Sequence, residues 1–282
     1  MPTYPDRQRL FWLRDLAVMV AVVAFVCMLV TMWVNHNRPH PVPSAYCQNN
    51  IRQVAVASHR YADRKGHFPG FSQTVGERAA SWTMAMLPEL GRNDVYDVVV
   101  NGELLPEVHV DLLHCPSDRR SNDQARPLSY VINGGWAHDI EGNPANGVAL
   151  DLSLTDAHLT WSFISENDGA SRTLLFSENL QATDWANPTL EETCFVWHRT
   201  TVPRPEFLIN GQAEAETPAL HTARPSSNHS GGAMFAFCDG HVRFISEEID
   251  YKVYMQLMTP HGTESDMPPE WKDYVLAESD YE

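Results

Sequence analysis

Two histidines and one aspartate in the last quarter of the chain are the residues best suited to chemistry. His241 follows Asp239 by two residues, so both side chains can project to the same side of an extended strand. His229 lies ten residues before Asp239, across a loop that can fold back. Two imidazoles and a carboxylate are ligands that transition metals accept, so the three residues predict a divalent-cation site. The alternative is structural: Asp239 and Gly240 form a tight hairpin turn, His241 faces solvent and His229 caps a loop.

A second candidate is a group of carboxylates around a predicted strand at 173–176. Glu166 and Asp168 precede this strand and Glu178 follows it. Paired carboxylates can form the active site of a hydrolase. The alternative is structural: these acidic residues lie in a turn and at the exposed ends of a strand. The sequence contains no phosphate-binding loop, dinucleotide fingerprint, zinc-protease helix motif, nucleophile elbow or EF-hand loop. We therefore assign no catalytic residue and expect the protein not to be an enzyme.

Four of the five cysteines, Cys47, Cys115, Cys194 and Cys238, follow residue 40 and can form two disulfides. Four cysteines allow three pairings, and their spacing does not choose among them. The Cys47–Cys115 pairing would clamp a predicted helix to the loop at 115–118, and Cys194 would then pair with Cys238. No Cys-x-x-Cys motif is present, so a zinc ribbon is not indicated.

The most apolar stretch of the chain is residues 16–34, which hold neither charge nor proline. About 20 apolar residues form a helix that spans the hydrocarbon core of a membrane. The run is longer than the apolar region of about 7 to 15 residues in a signal peptide, and no good cleavage site follows it. We therefore favour a retained anchor over a cleaved signal peptide. The preceding Arg7, Arg9 and Arg14 place the N-terminus in the cytoplasm and the main domain in the periplasm, beyond the inner membrane.

These features divide the chain into five predicted segments. They are a cytoplasmic N-terminus (1–15), a transmembrane helix (16–34), a proline-rich linker (35–45), an extracytoplasmic domain (46–262) and an acidic C-terminal tail (263–282). The net charge is −16, and the four arginines and two aspartates of residues 1–38 sum to +2, which leaves −18 on the remainder. Such a surface repels phosphate backbones, so we expect no nucleic-acid partner.

The domain is predicted to combine helices with short strands. A helix is expected at 45–65, because small and apolar residues recur there at three- and four-residue steps. Asp239-Gly240 between apolar runs predicts a β-hairpin at 233–245. The other expected elements are helices at 81–90 and 249–258 and strands at 95–100, 107–113, 128–132, 173–176 and 193–197. This order favours an α+β fold with an antiparallel sheet, followed by a loosely ordered tail.

Several segments, in this order, resemble one bacterial family. They are Cys47–Gln53, Cys115–Asp118, Asp168–Leu175 and His229 followed after nine residues by Asp239-Gly240. The chain is similar to the pseudopilin-like proteins of planctomycetes with a prepilin-type processing-associated H-X9-DG domain, a domain of unknown function (1559). The resemblance implies a pilin-like fold, in which an amphipathic helix packs on an antiparallel sheet. It also implies that His229 and Asp239-Gly240 mark the family signature, and it implies no enzyme activity.

The N-terminus departs from the prepilin pattern. Prepilins carry glycine before the scissile bond, then phenylalanine and, four residues later, glutamate. Here Leu10 precedes Phe11, and Asp15 stands where the glutamate would be. A bulky residue before the scissile bond should block the peptidase, so we predict an uncleaved and unmethylated N-terminus. The prolines of 35–45 would also interrupt the long helix that filaments use.

These observations favour a structural or interaction role in the cell envelope, or in a type II secretion or pseudopilus machine. The expected partners are the membrane and other pilin-like subunits or envelope proteins. One alternative is an envelope module that binds a saccharide or a peptide, with a divalent cation at His229, Asp239 and His241. A metal-dependent hydrolase is the less favoured alternative.

Overall fold

The structure, a computed structural model, describes residues 6–36, 45–118, 124–212 and 219–281. The chain forms two compact units, Met1–Val42 and Pro43–Glu282, hereafter the first and second units.

The first unit contains one long helix, α1 (Asp6–His36). Its described side chains are those of Trp12 and residues 15–31, and all of them are exposed. Among the described residues of the whole chain, we find no helix that is long and apolar enough to cross a membrane. The helical conformation of 16–34 is confirmed, whereas its membrane span stays a prediction. The predicted linker lies mostly outside the described residues.

The second unit contains seven α-helices and seven strands among its described residues, besides short 3-10 helices such as Asp111–Leu113. They are α2 (Ala45–Lys65), β1 (Ser72–Val75), β2 (Arg78–Ser81), α3 (Trp82–Met86), α4 (Asn93–Val100), β3 (Tyr130–Trp136), α5 (Trp161–Glu166), β4 (Leu174–Glu178), α6 (Leu190–Thr193), β5 (Cys194–Trp197), α7 (Ala219–Thr222), β6 (Gly232–Phe237), β7 (Val242–Ser246) and α8 (Tyr251–Met258).

The core of this unit is a five-stranded sheet in the order β5-β3-β4-β6-β7. Neighbouring strands are antiparallel except for β3 and β5, which are parallel. Strands β1 and β2 form a separate hairpin. The α+β class is confirmed, but the sheet is mixed because β5 returns beside β3 after a long connection.

Helix α2 covers the sheet nearest to β6 and β4. Its buried side chains include Ile51, Val54, Ala55 and Ser58, which follow the predicted three- and four-residue repeat. Strands β6 and β7 form the predicted hairpin, and Gly240 in its turn has a φ of +87°. The two strongest sequence patterns are therefore confirmed.

Residues 95–100, predicted as a strand, belong to helix α4 instead. Val95 and Val99 are buried, and their four-residue spacing is that of one helix face. The backbone N–H of Asn101 donates to the carbonyl of Asp97 at 3.0 Å, which continues the helical pattern. A short run of valines fits a strand or a helix, and packing decides between them here.

Strand β3 continues past Asn133-Gly134-Gly135, where the sequence predicted its end. The register with β5 shifts between Asn133 and Gly135, which is a β-bulge. The Asn133 amide donates to the carbonyls of Leu174 at 2.8 Å and Met258 at 2.7 Å. Gly135 has a φ of +77°, which favours glycine at this position.

The acidic tail packs on the domain, contrary to the predicted loose order. Met267 is fully buried, and Leu276 and Tyr281 are nearly so. These few apolar residues therefore hold the tail against the domain, although the tail as a whole has the acidic composition of a solvated segment.

Candidate functional site

Four elements converge on a buried group of side chains, which we call the disulfide cluster: Cys47, Cys115, Glu178 and His229. Cys47 lies near the start of α2, and Cys115 lies in the loop after a short 3-10 helix. Glu178 is the last residue of β4, and His229 lies in the loop that enters β6. One sulfur, nitrogen or oxygen atom from each of the four residues lies within 4.8 Å of the others, and all four residues are buried.

Cys47 and Cys115 form a disulfide with a Cα–Cα distance of 5.2 Å, which is within the usual range. This pairing confirms the predicted clamp between α2 and the loop at 115–118. The predicted Cys194–Cys238 disulfide is wrong, because both cysteines are free and buried. Cys194 begins β5 and Cys238 follows β6, and β3 and β4 lie between these strands. Three inter-strand spacings of about 4.8 Å are too far for a disulfide.

Glu178 and His229 form a buried pair. The Nε2 atom of His229 lies 3.0 Å from Oε1 of Glu178, and each side chain is only 3% exposed. Oε2 of Glu178 accepts the backbone N–H of Met234 at 3.0 Å, so both carboxylate oxygens have partners. The same Nε2 atom lies 3.8 Å from the sulfur of Cys115. The imidazole therefore lies between a carboxylate and a disulfide.

The groups around the disulfide cluster are themselves hydrogen-bonded. The Tyr130 hydroxyl donates to the carbonyl of Cys47 at 3.3 Å, and burial, with the nearby charge of Glu178, raises the pKa of Tyr130 well above its usual value. Ser129 donates to the Asp118 carboxylate at 3.1 Å. The first contact ties β3 to α2, and the second ties the loop at 115–118 to the residue before β3. The disulfide cluster is therefore held in place by its surroundings.

The predicted site of His229, Asp239 and His241 is not assembled. His229 precedes β6 and the other two residues follow it, so they lie at opposite ends of a strand about 20 Å long. His241 Nδ1 lies 2.6 Å from Asp239 Oδ1, and the His241 ring stacks on Phe237 with centroids 4.0 Å apart. The three-ligand prediction is therefore wrong. Asp239 and Gly240 serve the turn, while His229 is buried in a pair that neither interpretation foresaw.

The predicted carboxylates are not paired either. Asp168 lies before β4 and Glu178 ends it, so the strand separates them. Oδ2 of Asp168 accepts the backbone N–H of Gly262 at 2.7 Å, and burial raises the pKa of Asp168. Glu166 ends α5 and is exposed. Their separation removes the geometric support for a two-carboxylate hydrolase.

The residues of the altered prepilin site lie in α1. Asp15 is exposed, and the side chains of Leu10 and Phe11 lie outside the described ones. The prediction of an uncleaved N-terminus therefore stays a prediction.

Sequence reasoning missed a group of three histidines, which we call the histidine group: His138, His198 and His221. The ring centroid of His198 lies 6.2 Å from that of His138 and 5.3 Å from that of His221. His198 also stacks on Phe207, with centroids 3.8 Å apart. His138 and His198 lie in separate loops and His221 lies in α7, and no spacing in the sequence signals their contact.

The histidine group should make stability depend on pH. Burial, followed by the nearby His221 and His138, lowers the pKa of His198 from its ordinary 6.5 to about 4. Between these values the unfolded chain binds more protons than the folded one, so the free energy of unfolding falls as the pH falls through this window. We expect a loss of about 3 kcal/mol, measured by urea unfolding at several pH values. The His198→Phe variant should show a shallower fall, and an equal fall in both proteins would contradict this assignment.

Comparison with known proteins gives one family. A family model described as a protein of unknown function (DUF1559) matches residues 44–252, which include the whole disulfide cluster and Asp239-Gly240. No curated protein and no solved structure matches the chain. The match covers most of the second unit, and the chain therefore belongs to the DUF1559 family.

Proposed function

We propose that residues 16–34 hold the protein in the cytoplasmic membrane, and that the second unit lies outside the cytoplasm with a structural or interaction role in the envelope. The observation that carries this proposal is the surface of α1. From Leu16 to Val30 its side chains are apolar on all sides of the helix, and Met19, Val23 and Phe25 are 64%, 60% and 61% exposed. Water disfavours such a continuous apolar surface, whereas lipid covers it.

The second unit supports the proposed compartment. Its Cys47–Cys115 disulfide is a bond that persists mainly in oxidising compartments. The three arginines before residue 16 favour a cytoplasmic N-terminus.

An apolar N-terminal helix and a second helix on a sheet are also the arrangement expected of a pilin-like protein. The proposed partners are other pilin-like subunits or envelope proteins, as in a secretion or pseudopilus machine. The proposal includes no catalytic role.

Charge in the middle of α1 should release the protein from the membrane. We expect the full chain to stay in the membrane fraction after alkaline carbonate washing, and most of a Val22→Arg/Val26→Arg variant to appear in the supernatant. The matched control is Leu104→Arg/Val202→Arg, at second-unit positions that are 93% and 78% exposed, and it should fractionate like the wild type. A wild-type chain found mainly in the supernatant would contradict the proposal.

The intact protein should keep its original N-terminus. Leu10 is too bulky for the position before the prepilin scissile bond, so the mass of the protein purified from its native membrane should include residues before Phe11. A chain that starts at Phe11 with a methylated amine would show that the peptidase accepts Leu10. The protein would then be a processed pseudopilus subunit.

A cavity beside Trp136 favours a second role, the capture of a saccharide. The cavity has a volume of about 200 Å³ and is lined by Phe71, Trp136, Asp139 and Asp151 among others. Phe71 and Trp136 offer aromatic surface on which a sugar ring can pack, and Asp139 and Asp151 offer carboxylate oxygens that can accept from its hydroxyls. Calorimetry with envelope oligosaccharides should show binding that Trp136→Ala weakens. Equal binding by both proteins would exclude this role for the cavity.

A further inference from the structure

We propose that the disulfide cluster is a zinc site when its disulfide is reduced. The ligands are the thiolates of Cys47 and Cys115, Nε2 of His229 and one carboxylate oxygen of Glu178. The inference does not depend on the proposed membrane location, since it rests on the contacts within the second unit.

The geometry is close to that of a tetrahedral zinc centre. Zinc bonds of about 2.3 Å to sulfur and about 2.0–2.1 Å to nitrogen and oxygen place neighbouring ligand atoms about 3.3–3.8 Å apart. The observed distances from His229 Nε2 are 3.8 Å to the sulfur of Cys115 and 3.0 Å to Oε1 of Glu178. The largest change required is between the two sulfur atoms, which must separate from a bond of about 2.05 Å to about 3.8 Å. Rotation of the cysteine side chains after reduction can supply this separation.

The charge of the cluster also suits zinc. Two thiolates balance the two positive charges of Zn²⁺, just as the intact disulfide is neutral. The exchange of the Cys47–Cys115 disulfide for two thiolates and Zn²⁺ therefore leaves the summed charge of these groups unchanged. Replacing one by the other adds no uncompensated charge to a buried site, which would be costly.

The ligand set exceeds what a structural disulfide requires. A disulfide needs no imidazole and no carboxylate, and burying these polar groups costs desolvation that apolar residues of similar volume would avoid. Cys115, Glu178 and His229 nevertheless converge, and their ligand atoms lie with that of Cys47 within 4.8 Å of one another. Thiolate, imidazole and carboxylate are the ligand types of protein zinc sites.

The conversion between the two states is balanced. A dithiol reductant transfers two electrons and two protons to the Cys47–Cys115 bond and becomes a cyclic disulfide. The two new thiols lose their protons when they coordinate Zn²⁺. In reverse, a disulfide oxidant accepts two electrons from the thiolates and two protons from solvent and becomes a dithiol. The Cys47–Cys115 bond forms again and Zn²⁺ is released, so the site holds either a disulfide or zinc.

The test uses the full chain in detergent, reduced with a dithiol that is then removed under anaerobic conditions. The reduced protein should bind one equivalent of Zn²⁺, and Co²⁺ in its place should give thiolate charge-transfer and tetrahedral absorption bands. The oxidised protein should bind neither metal at this site. His229→Gln and Glu178→Gln should each weaken binding at least about tenfold, the loss that even an outer-shell partner can cause.

The controls separate this site from other thiols and histidines. The Cys194→Ala/Cys238→Ala variant removes the free buried thiols, and His241→Gln changes an imidazole at the far end of β6. Both should bind zinc like the wild type. Loss of binding in either control, or unchanged binding in His229→Gln, would overturn the proposal.

A measurement on the reduced wild-type chain covers the case in which a variant fails to fold. Zinc should slow alkylation of Cys47 and Cys115, with the modified peptides identified by mass spectrometry. Equal alkylation of these two cysteines with and without zinc would overturn the proposal.

Discussion

Replacing His229 with alanine is expected to lower the free energy of unfolding of the second unit by about 3–5 kcal/mol. The substitution leaves the Glu178 carboxylate buried and removes its partner at 3.0 Å. Within the described ranges of the chain, only the backbone N–H of Met234 would remain to bond that carboxylate. The lost ring also leaves a cavity against the disulfide, which adds to the cost.

Urea unfolding of the oxidised protein in the presence of a chelator measures this effect without zinc. The matched control is His241→Ala, whose side chain is 35% exposed and should cost less than about 1 kcal/mol. The double variant His229→Ala/Glu178→Gln should lose less free energy of unfolding than the sum of the two single variants, because the two side chains contact each other. Additive losses in the double variant, or equal losses of unfolding free energy in His229→Ala and His241→Ala, would contradict a stabilising contact between His229 and Glu178.

Removing the disulfide is the second large effect. Cys115→Ala opens a loop between residues separated by 68 positions, and the chain-entropy model gives a loss of about 4 kcal/mol. We expect the Cys115→Ala variant to unfold at a lower urea concentration than the wild type. The wild type should show the same lower midpoint after its disulfide is reduced in the presence of a chelator. The control is Cys27→Ser, which changes an exposed thiol in α1 and should leave the midpoint unchanged. A midpoint for Cys115→Ala within error of the wild type would contradict the stabilising role of this bond.

The geometry suggests why His229 and Asp239-Gly240 are separated by nine residues. At one end of β6, His229 contacts the disulfide that includes Cys47 of α2. At the other end, Nε2 of His59 in α2 lies 2.7 Å from the carbonyl of Cys238, next to the turn. From Cys47 to His59 the helix extends about 18 Å, close to the 20 Å of the strand. The spacing therefore lets both ends of β6 attach to one helix.

The parts of the fold that could be predicted are those with local patterns. The repeat of small and apolar residues located α2, and Asp239-Gly240 located the hairpin, because each pattern has a geometric cause within a few residues. The prediction of a strand at 95–100 failed because packing against the rest of the domain decides whether a short run of valines forms a strand or a helix.

The candidate site could be predicted only in part. The Cys47–Cys115 disulfide belongs to one of the three pairings that the sequence leaves open. The prediction of a Cys194–Cys238 disulfide failed because the sequence does not reveal the order of strands in a sheet. The contact of His229 with Glu178 spans 51 residues, and its contact with Cys115 spans 114. Contacts at such separations arise from the topology of the sheet rather than from spacing in the sequence.

Labelling of lysines tests whether the second unit lies outside the cytoplasm. All three lysines of the chain, Lys65, Lys252 and Lys272, belong to the second unit, and Lys65 is exposed. Cells with an intact cytoplasmic membrane and a permeable outer layer are treated with an amine reagent that cannot cross the membrane. We expect Lys65 to be labelled in these cells to the same extent as after lysis, while a cytoplasmic marker protein is labelled only after lysis. Labelling of Lys65 only after lysis would place the second unit in the cytoplasm and overturn the proposed location.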